Sequence, residues 1–319
     1  MYTYRKAFGC KSAPPIVIVW IRGGELATPG FEVSKRKDTL TDELRGKLER
    51  IFDLLVRNRQ FNEAVQHAAY RQDVLPWPDT GSKLQSLLHS KAHMQSSPKL
   101  DVLMPTWKQL HQNYDAFKKA RSPSDLNEAL WTLAKPNIVR DRDNRPVFEE
   151  IRTALEKAAG FGKKTAALFV KSIVEIHTLP INHDLRFLPD FSIDPQDRLK
   201  IPVDTVIEHI FGCLGAPGED FTSINVLIEQ SGLSFADRPT LWDDLWFWGF
   251  ITQMSGKETG RVNCINEPKF WSILGAPVDN WEQIGAAAEE FRQLVQPVEY
   301  ASFPTLAKGN SVRGRRPIR

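Results

Sequence analysis

Apolar residues along this chain recur mostly at three- and four-residue spacing, the period of a helix with one buried face. Leu44, Leu48, Ile51, Phe52 and Leu55 form the first such stripe, and Trp107, Leu110, Tyr114 and Phe117 a second. The stretch "SPSDLNEALWTLAK" predicts a helix with Ser122 as its cap, Pro123 in the first turn and Asp125 three residues after the cap. Leu126, Leu130 and Leu133 then supply its buried face. Phe148, Ile151 and Leu155 line a helix expected to end at Gly160; Leu168, Phe169, Ser172, Ile173 and Ile176 line the next. Val203, Ile207, Ile210 and Leu214 mark a further stripe, and Trp281, Ile284, Phe291 and Leu294 the last. Proline- and glycine-rich breaks fall at 74–81, 178–202 and 215–218. The stretch "IVIVWI" near the N-terminus reads as a short strand; it is too short to span a membrane.

These elements predict an all-α fold: two helical lobes with a cleft, and a helix–hairpin–helix at about 148–176. The expected order is an N-terminal segment 1–30, a helical region 31–125, the hairpin region 126–215, a helical region 216–300 and a tail 301–319. Composition agrees with a globular chain that buries a sizeable core, at 319 residues, 41% hydrophobic and 25% charged. A net charge of +3 is too small to point to nucleic acid by itself. The tail differs, with Lys308, Arg313, Arg315, Arg316 and Arg319 and no acid. It reads either as a polyanion-attracting arm or as a solvated end. Cys10, Cys213 and Cys264 make neither a disulfide framework nor a four-cysteine metal site, which suits a reduced intracellular protein. His177, His183 and His209 do not form a metal-ligand pattern, and no metal or cofactor is expected.

The stretch "GFGKKTAALF" from Gly160 to Phe169 carries the first candidate chemistry. A left-handed Gly160 can end one helix, Phe161 can plug the turn, and Gly162 permits close approach of another backbone. The next helix then starts with its amides outward and its dipole favouring an anion, beside Lys163 and Lys164. The turn is an ordinary helix connection, a phosphate-binding hairpin, or a hairpin that also presents a catalytic lysine. Forty residues later, in "IPVDTVIEHI", Asp204 falls where a helix should start. Backbone N–H groups at a cap keep such a carboxylate ionised, whether its role is structural or catalytic.

Together, "ALEKAAGFGKKTAALFVKSI" and "IPVDTVIEHI" resemble the helix–hairpin–helix DNA glycosylases, the superfamily of endonuclease III and the 8-oxoguanine glycosylases. Gly160, Phe161 and Gly162 match its hairpin; Lys164, Thr165 and Ala166 its lysine–threonine–alanine step; Val203, Asp204 and Thr205 its valine–aspartate–threonine step. The resemblance covers residues 126–215. Ala158 and Ala159 stand where a leucine–proline pair usually opens the hairpin, and Val206 where a histidine is usual. It implies excision of a damaged or modified base, with Gly160, Gly162 and Lys163 on DNA phosphates. It makes Lys164 and Asp204 the catalytic pair, Lys164 being the Schiff-base amine of a bifunctional enzyme with lyase activity.

The chemistry suits those residue types. Breaking an N-glycosidic bond builds positive charge on the sugar, which a carboxylate stabilises. An attacking lysine must be neutral, and at an ordinary pKa only on the order of one in a thousand is neutral at pH 7. The target base must leave the stack, so an aromatic pocket is expected. Trp242, Trp246 and Trp248 of "PTLWDDLWFWGFI" are candidates, with His183 and Phe187 of the 178–202 segment as a second wall. Core packing and a solvated loop are the plainer alternatives. The implied partner is double-stranded DNA with one flipped base, met by a monomer in the cytoplasm or nucleoid and not at a membrane. The rival classes are a noncatalytic DNA-binding module and a helical scaffold.

Overall fold

The computed structural model describes residues 40–94, 99–135, 140, 145–194, 196–233, 240–255, 260–274 and 280–296. The expected N-terminal strand and the basic tail lie outside the described residues. The fold is all-α, with a single two-stranded hairpin among the described residues. No described helix is long and apolar enough to cross a membrane.

Helix α1, Asp42–Val74, is 33 residues long, about 50 Å at 1.5 Å per residue. Thr41 caps it by accepting from the Leu44 amide, and Asp42 and Glu43 complement the positive end of its dipole. All five residues of the first predicted stripe are buried along it. There follow α2 (Thr80–His93), α3 (Leu100–Gln112), α4 (Tyr114–Lys119), α5 (Pro123–Trp131), α6 (Val147–Lys157) and α7 (Lys163–Thr178). A 3-10 turn, Pro180–Leu185, precedes α8 (Thr205–Leu214) and α9 (Phe221–Ser231). A second, Leu241–Asp243, leads into α10 (Asp244–Ile251). Strands β1 (Gln253–Ser255) and β2 (Arg261–Asn263) then pair antiparallel, before α11 (Glu267–Leu274) and α12 (Trp281–Val295).

Two hydrophobic cores form. One gathers the first half of α1 with α8, α9, α10 and α12; the other gathers Tyr70 and Val74 at the end of α1 with α2 to α7. The division falls between α7 and α8, inside the 126–215 region.

Local details depart from the sequence pattern in three places. The second stripe is split, because the helix breaks at Asn113 between α3 and α4. Helix α6 stops at Lys157 with Ala158 extended, three residues before the glycine expected to end it. Trp281 is 46% exposed at the first turn of α12, beside Trp271; the buried face there is Ile284, Ala287, Ala288, Phe291 and Val295. The capping box at Ser122 and Asp125 is as the sequence predicts.

A buried polar network ties the two cores together. From mid-α1, the Arg59 guanidinium donates to Asp244 of α10 at 3.1 Å, Glu175 of α7 at 3.4 Å, Thr240 at 2.8 Å and Glu63 at 2.8 Å. Asn62 donates to Asp244 at 2.7 Å, and the Tyr70 hydroxyl to Glu175 at 2.6 Å. Lys171 of α7 pairs with Asp243 and, at 3.6 Å, with Glu175. Three enclosed carboxylates, Asp243, Asp244 and Glu175, and the half-buried Glu63 thus meet two cations. Burial pushes the Asp244 carboxyl up to about 7, against the pull of Arg59, and Glu175 adds to the rise.

The 178–190 segment is fastened over the far end of α7. His177 accepts at Nε2 from the amides of Leu188 (2.9 Å) and Phe187 (3.2 Å), so Nδ1 carries the proton and donates to the Ile173 carbonyl at 2.9 Å. Only the neutral ring fits these partners. Burial lowers its pKa to about 4, with the Arg186 charge acting the same way.

Two outcomes are expected. Arg59→Met leaves buried carboxylates unpaired and should cost about 3–5 kcal/mol of unfolding free energy in urea titrations. A loss below about 1 kcal/mol would mean that the network does not hold the cores together. The depressed His177 pKa gives stability that is complete above the unfolded pKa of about 6.5 and is lost as pH falls toward about 4, a total of about 3 kcal/mol. Urea titrations at pH 7.5 and pH 4.5 should show that share of the acid sensitivity in the parent chain and not in His177→Asn.

Candidate active site

The hairpin is built from α6, the five residues 158–162 and α7. Gly160 has φ +84°, the left-handed region, and a Cβ there would come within 2.6 Å of the Leu103 side chain on α3. Thr106 of the same helix donates to the Ala159 carbonyl at 2.7 Å. Phe161 is buried and meets Trp107 edge-on at 6.0 Å. The turn is therefore held from behind by α3. Its front is open: nothing lies within 4 Å of a Cβ at Gly162, and no side chain caps α7. The first turn of any helix leaves N–H donors without partners inside the helix.

Three helix starts adjoin here. Asp204 caps α8, its Oδ1 accepting from the amides of Val206 (2.9 Å) and Ile207 (3.3 Å). Its Oδ2 accepts from Lys164 of α7 at 3.2 Å, across 40 residues of sequence. Asp220 caps α9, and Lys163 reaches Thr222 of that helix at 3.4 Å and lies over the Phe221 ring. Two starts are closed by aspartates, while the start of α7 carries only Gly162. Asp204 is half-buried, whereas the Lys164 side chain is 44% exposed.

Two further cations surround Asp204. Arg261 of β2 donates to the Thr205 hydroxyl at 2.8 Å. Lys269 of α11 donates to the Gln253 carbonyl at 3.3 Å and stands 4.6 Å from the centre of the Phe250 ring. Burial lowers the Lys269 pKa from its ordinary value and Arg261 lowers it further, while Asp204 and Cys264 pull the other way. Gln253 joins these groups, since its side chain donates to the Val206 carbonyl and accepts from Arg261. Helix α10 lies tight against the start of α8: a Cβ on Gly249 would fall 2.5 Å from the Val206 side chain. That contact sets Phe250 and Trp246, stacked at 4.9 Å, on the Lys269 side of the site.

The other proposed pocket residues are elsewhere. Trp248 is fully buried in the first core, and Trp242 is buried with its indole N–H on the Leu233 carbonyl at 2.6 Å. Their helix is apolar on more than one face because it is enclosed. Trp246 alone of the three is half-exposed. Phe187 packs edge-on against His177, and His183 lies exposed in the 3-10 turn beyond it. His177 lies thirteen positions after Lys164 on α7, about 20 Å along the axis, so that segment closes the opposite end of the helix. A groove of about 540 Å³ lies behind the hairpin, lined by His89, His93, Met104, Trp107 and Lys108. Among the described residues no group of three or more His, Cys, Asp or Glu is placed to hold a metal.

Comparison with known proteins leaves the chain without a match among protein-family models, curated proteins or solved structures.

Arg261 and Lys269 follow Asp204 by about 60 residues; Asn266 caps α11 by accepting from the Lys269 amide, with Pro268 in the first turn, but that local signature says nothing of which distant segment the two cations reach. Only charge beside the aromatic run would have drawn attention to them.

The two hairpin glycines should respond differently to alanine. Gly160→Ala faces both a positive φ and a 2.6 Å clash, and should lower stability by about 2 kcal/mol or more by urea titration. Gly162→Ala has φ −117° and open space, and should change it by under about 1 kcal/mol. Equal effects would mean that the turn is not held as described.

Proposed function

We propose that this protein is a DNA glycosylase that excises a damaged or modified base from duplex DNA. The observation that carries the reading is the Lys164–Asp204 pair, joining the uncapped start of α7 to the capped start of α8. The open start of α7, with Lys163 beside it, supports a phosphate contact that fixes the duplex without reading sequence. A flipped nucleotide then brings its sugar to Asp204. As the glycosidic bond breaks, its electron pair leaves with the base and the sugar becomes cationic. The Asp204 carboxylate, fixed by two backbone amides, stabilises that charge without reorganising. Trp246 and Phe250 offer the accessible aromatic surface against which an extruded base can stack. Attack by water completes a hydrolytic reaction; attack by a neutral amine gives an imine and strand cleavage.

A noncatalytic DNA-binding module is the second reading, favoured by the same open hairpin. The two part at Asp204. Asn is as good a cap as Asp, so Asp204→Asn should fold and bind DNA normally. Incubation with duplexes each bearing one altered base, scored for abasic sites, should show excision by the parent chain. The variant should fall by at least about a hundredfold. Undiminished excision would remove Asp204 from the mechanism; binding without excision on any duplex would leave the noncatalytic reading.

A further inference from the structure

The groove of about 540 Å³ between α2 and α3 shares no lining residue with the site around Asp204. Its volume falls in the range of small-molecule sites. One wall is aromatic. The His89 ring stacks on the Trp107 indole at 3.8 Å and 13°, and the His93 ring lies 5.6 Å from His89 at 9°. The His93–Trp107 angle is 11°, so the three rings are nearly parallel. They are also held in place. Phe161 packs edge-on against Trp107, and the His93 Nδ1–H donates to the His89 carbonyl at 2.7 Å. Exposed Leu100 and Met104 of α3 add apolar surface. The polar part of the lining is of one sign. Lys108, His111 and Gln112 contribute to it, and no carboxylate does. The Lys108 ammonium has no ion pair among the described residues. Neither ring nitrogen of His89 has a hydrogen-bond partner among them, so in either tautomer one N–H lacks a protein acceptor.

We propose that this groove binds a planar aromatic ring that carries an anionic group, the chemistry of a nucleotide. Aromatic rings favour offset stacking, and a wall of parallel rings already fixed in place extends to one more ring at little ordering cost. Leu100 and Met104 flank that ring with flexible apolar side chains. The anion meets Lys108 and the His111 imidazole, where an ammonium acts on a phosphate or carboxylate as a point charge. A cationic ligand would face Lys108 with no acid to offset the repulsion, and an uncharged one would leave the lysine without a partner. Two sources present the required chemistry: a free nucleotide, and an unpaired nucleotide within a single strand. Because the groove is remote in lining from Asp204, the inference stands whether or not a base is excised there.

The test is calorimetric titration of the full chain with AMP, adenosine and ribose phosphate at one ionic strength. AMP should bind with a Kd below about 1 mM, adenosine at least about tenfold more weakly, and ribose phosphate not measurably. Lys108→Gln should weaken AMP by about fivefold or more and leave adenosine within about twofold, because only the anion meets the lysine. Met104→Glu puts a carboxylate into the groove and should weaken AMP by at least about tenfold. Both positions are exposed, so both variants should fold, which urea titration checks. A short single-stranded oligonucleotide separates the sources. Binding tighter than AMP assigns the groove to a strand; binding no tighter assigns it to the free nucleotide. Equal affinity for AMP and adenosine, AMP binding unchanged in both folded variants, or no binding of AMP by the parent chain would each overturn the proposal. So would a parent chain that sediments as a dimer, ignores every probe and is split by Met104→Glu, since a second copy would then fill the groove.

Discussion

The Arg59 guanidinium is the constraint on which the rest of the structure depends. It sits at the middle of the longest helix, closed off from water, and bonds to α7 on one side and to Thr240 and Asp244 on the other. Hydrophobic contact alone is non-directional and would let the two cores slide past one another. A planar fork with fixed donors does not permit that, because each displaced carboxylate would remain buried and unpaired. Burial raises the Asp244 pKa against the pull of Arg59, and the neighbouring Glu175 adds to the rise. The network is better read as a device for register than as a large source of stability, since burying ions costs much of what their attraction returns.

Register matters because the candidate site belongs to neither core. Lys164 enters from the helix that closes one core, and Asp204 from the first residue beside the other. A shift of an ångström between cores would break the 3.2 Å contact between Lys164 and Asp204. The same reasoning explains the tight approach at Gly249, which fixes α10 and its aromatic pair against the first turn of α8.

Electrostatically the site is two capping aspartates among four cations. Lys163, Lys164, Arg261 and Lys269 gather around adjoining helix starts, where Asp204 and Asp220 serve as caps. On the base-excision proposal, the cations would hold phosphates and the Asp204 carboxylate would meet a sugar that becomes transiently positive. A net charge of only +3 conceals this, because charge balance over a whole chain says little about its distribution.

Much of the fold was legible in the sequence. The stripe of α1, the capping box of α5, the hairpin turn and the Asp204 cap all rest on interactions within a few residues, which local pattern records. The pairing of Lys164 with Asp204 was suggested by family resemblance, not by anything local. What the sequence did not determine was which aromatic residues stay accessible, since a helix rich in tryptophan reads alike whether it lines a pocket or fills a core. The burial of Trp242 and Trp248, the partial exposure of Trp246 and the retreat of His183 and Phe187 to the far end of α7 follow from how the helices pack. The same packing brings Arg261 and Lys269 to Asp204. Those decisions belong to tertiary structure because they depend on contacts between segments tens to hundreds of residues apart, which no local periodicity encodes.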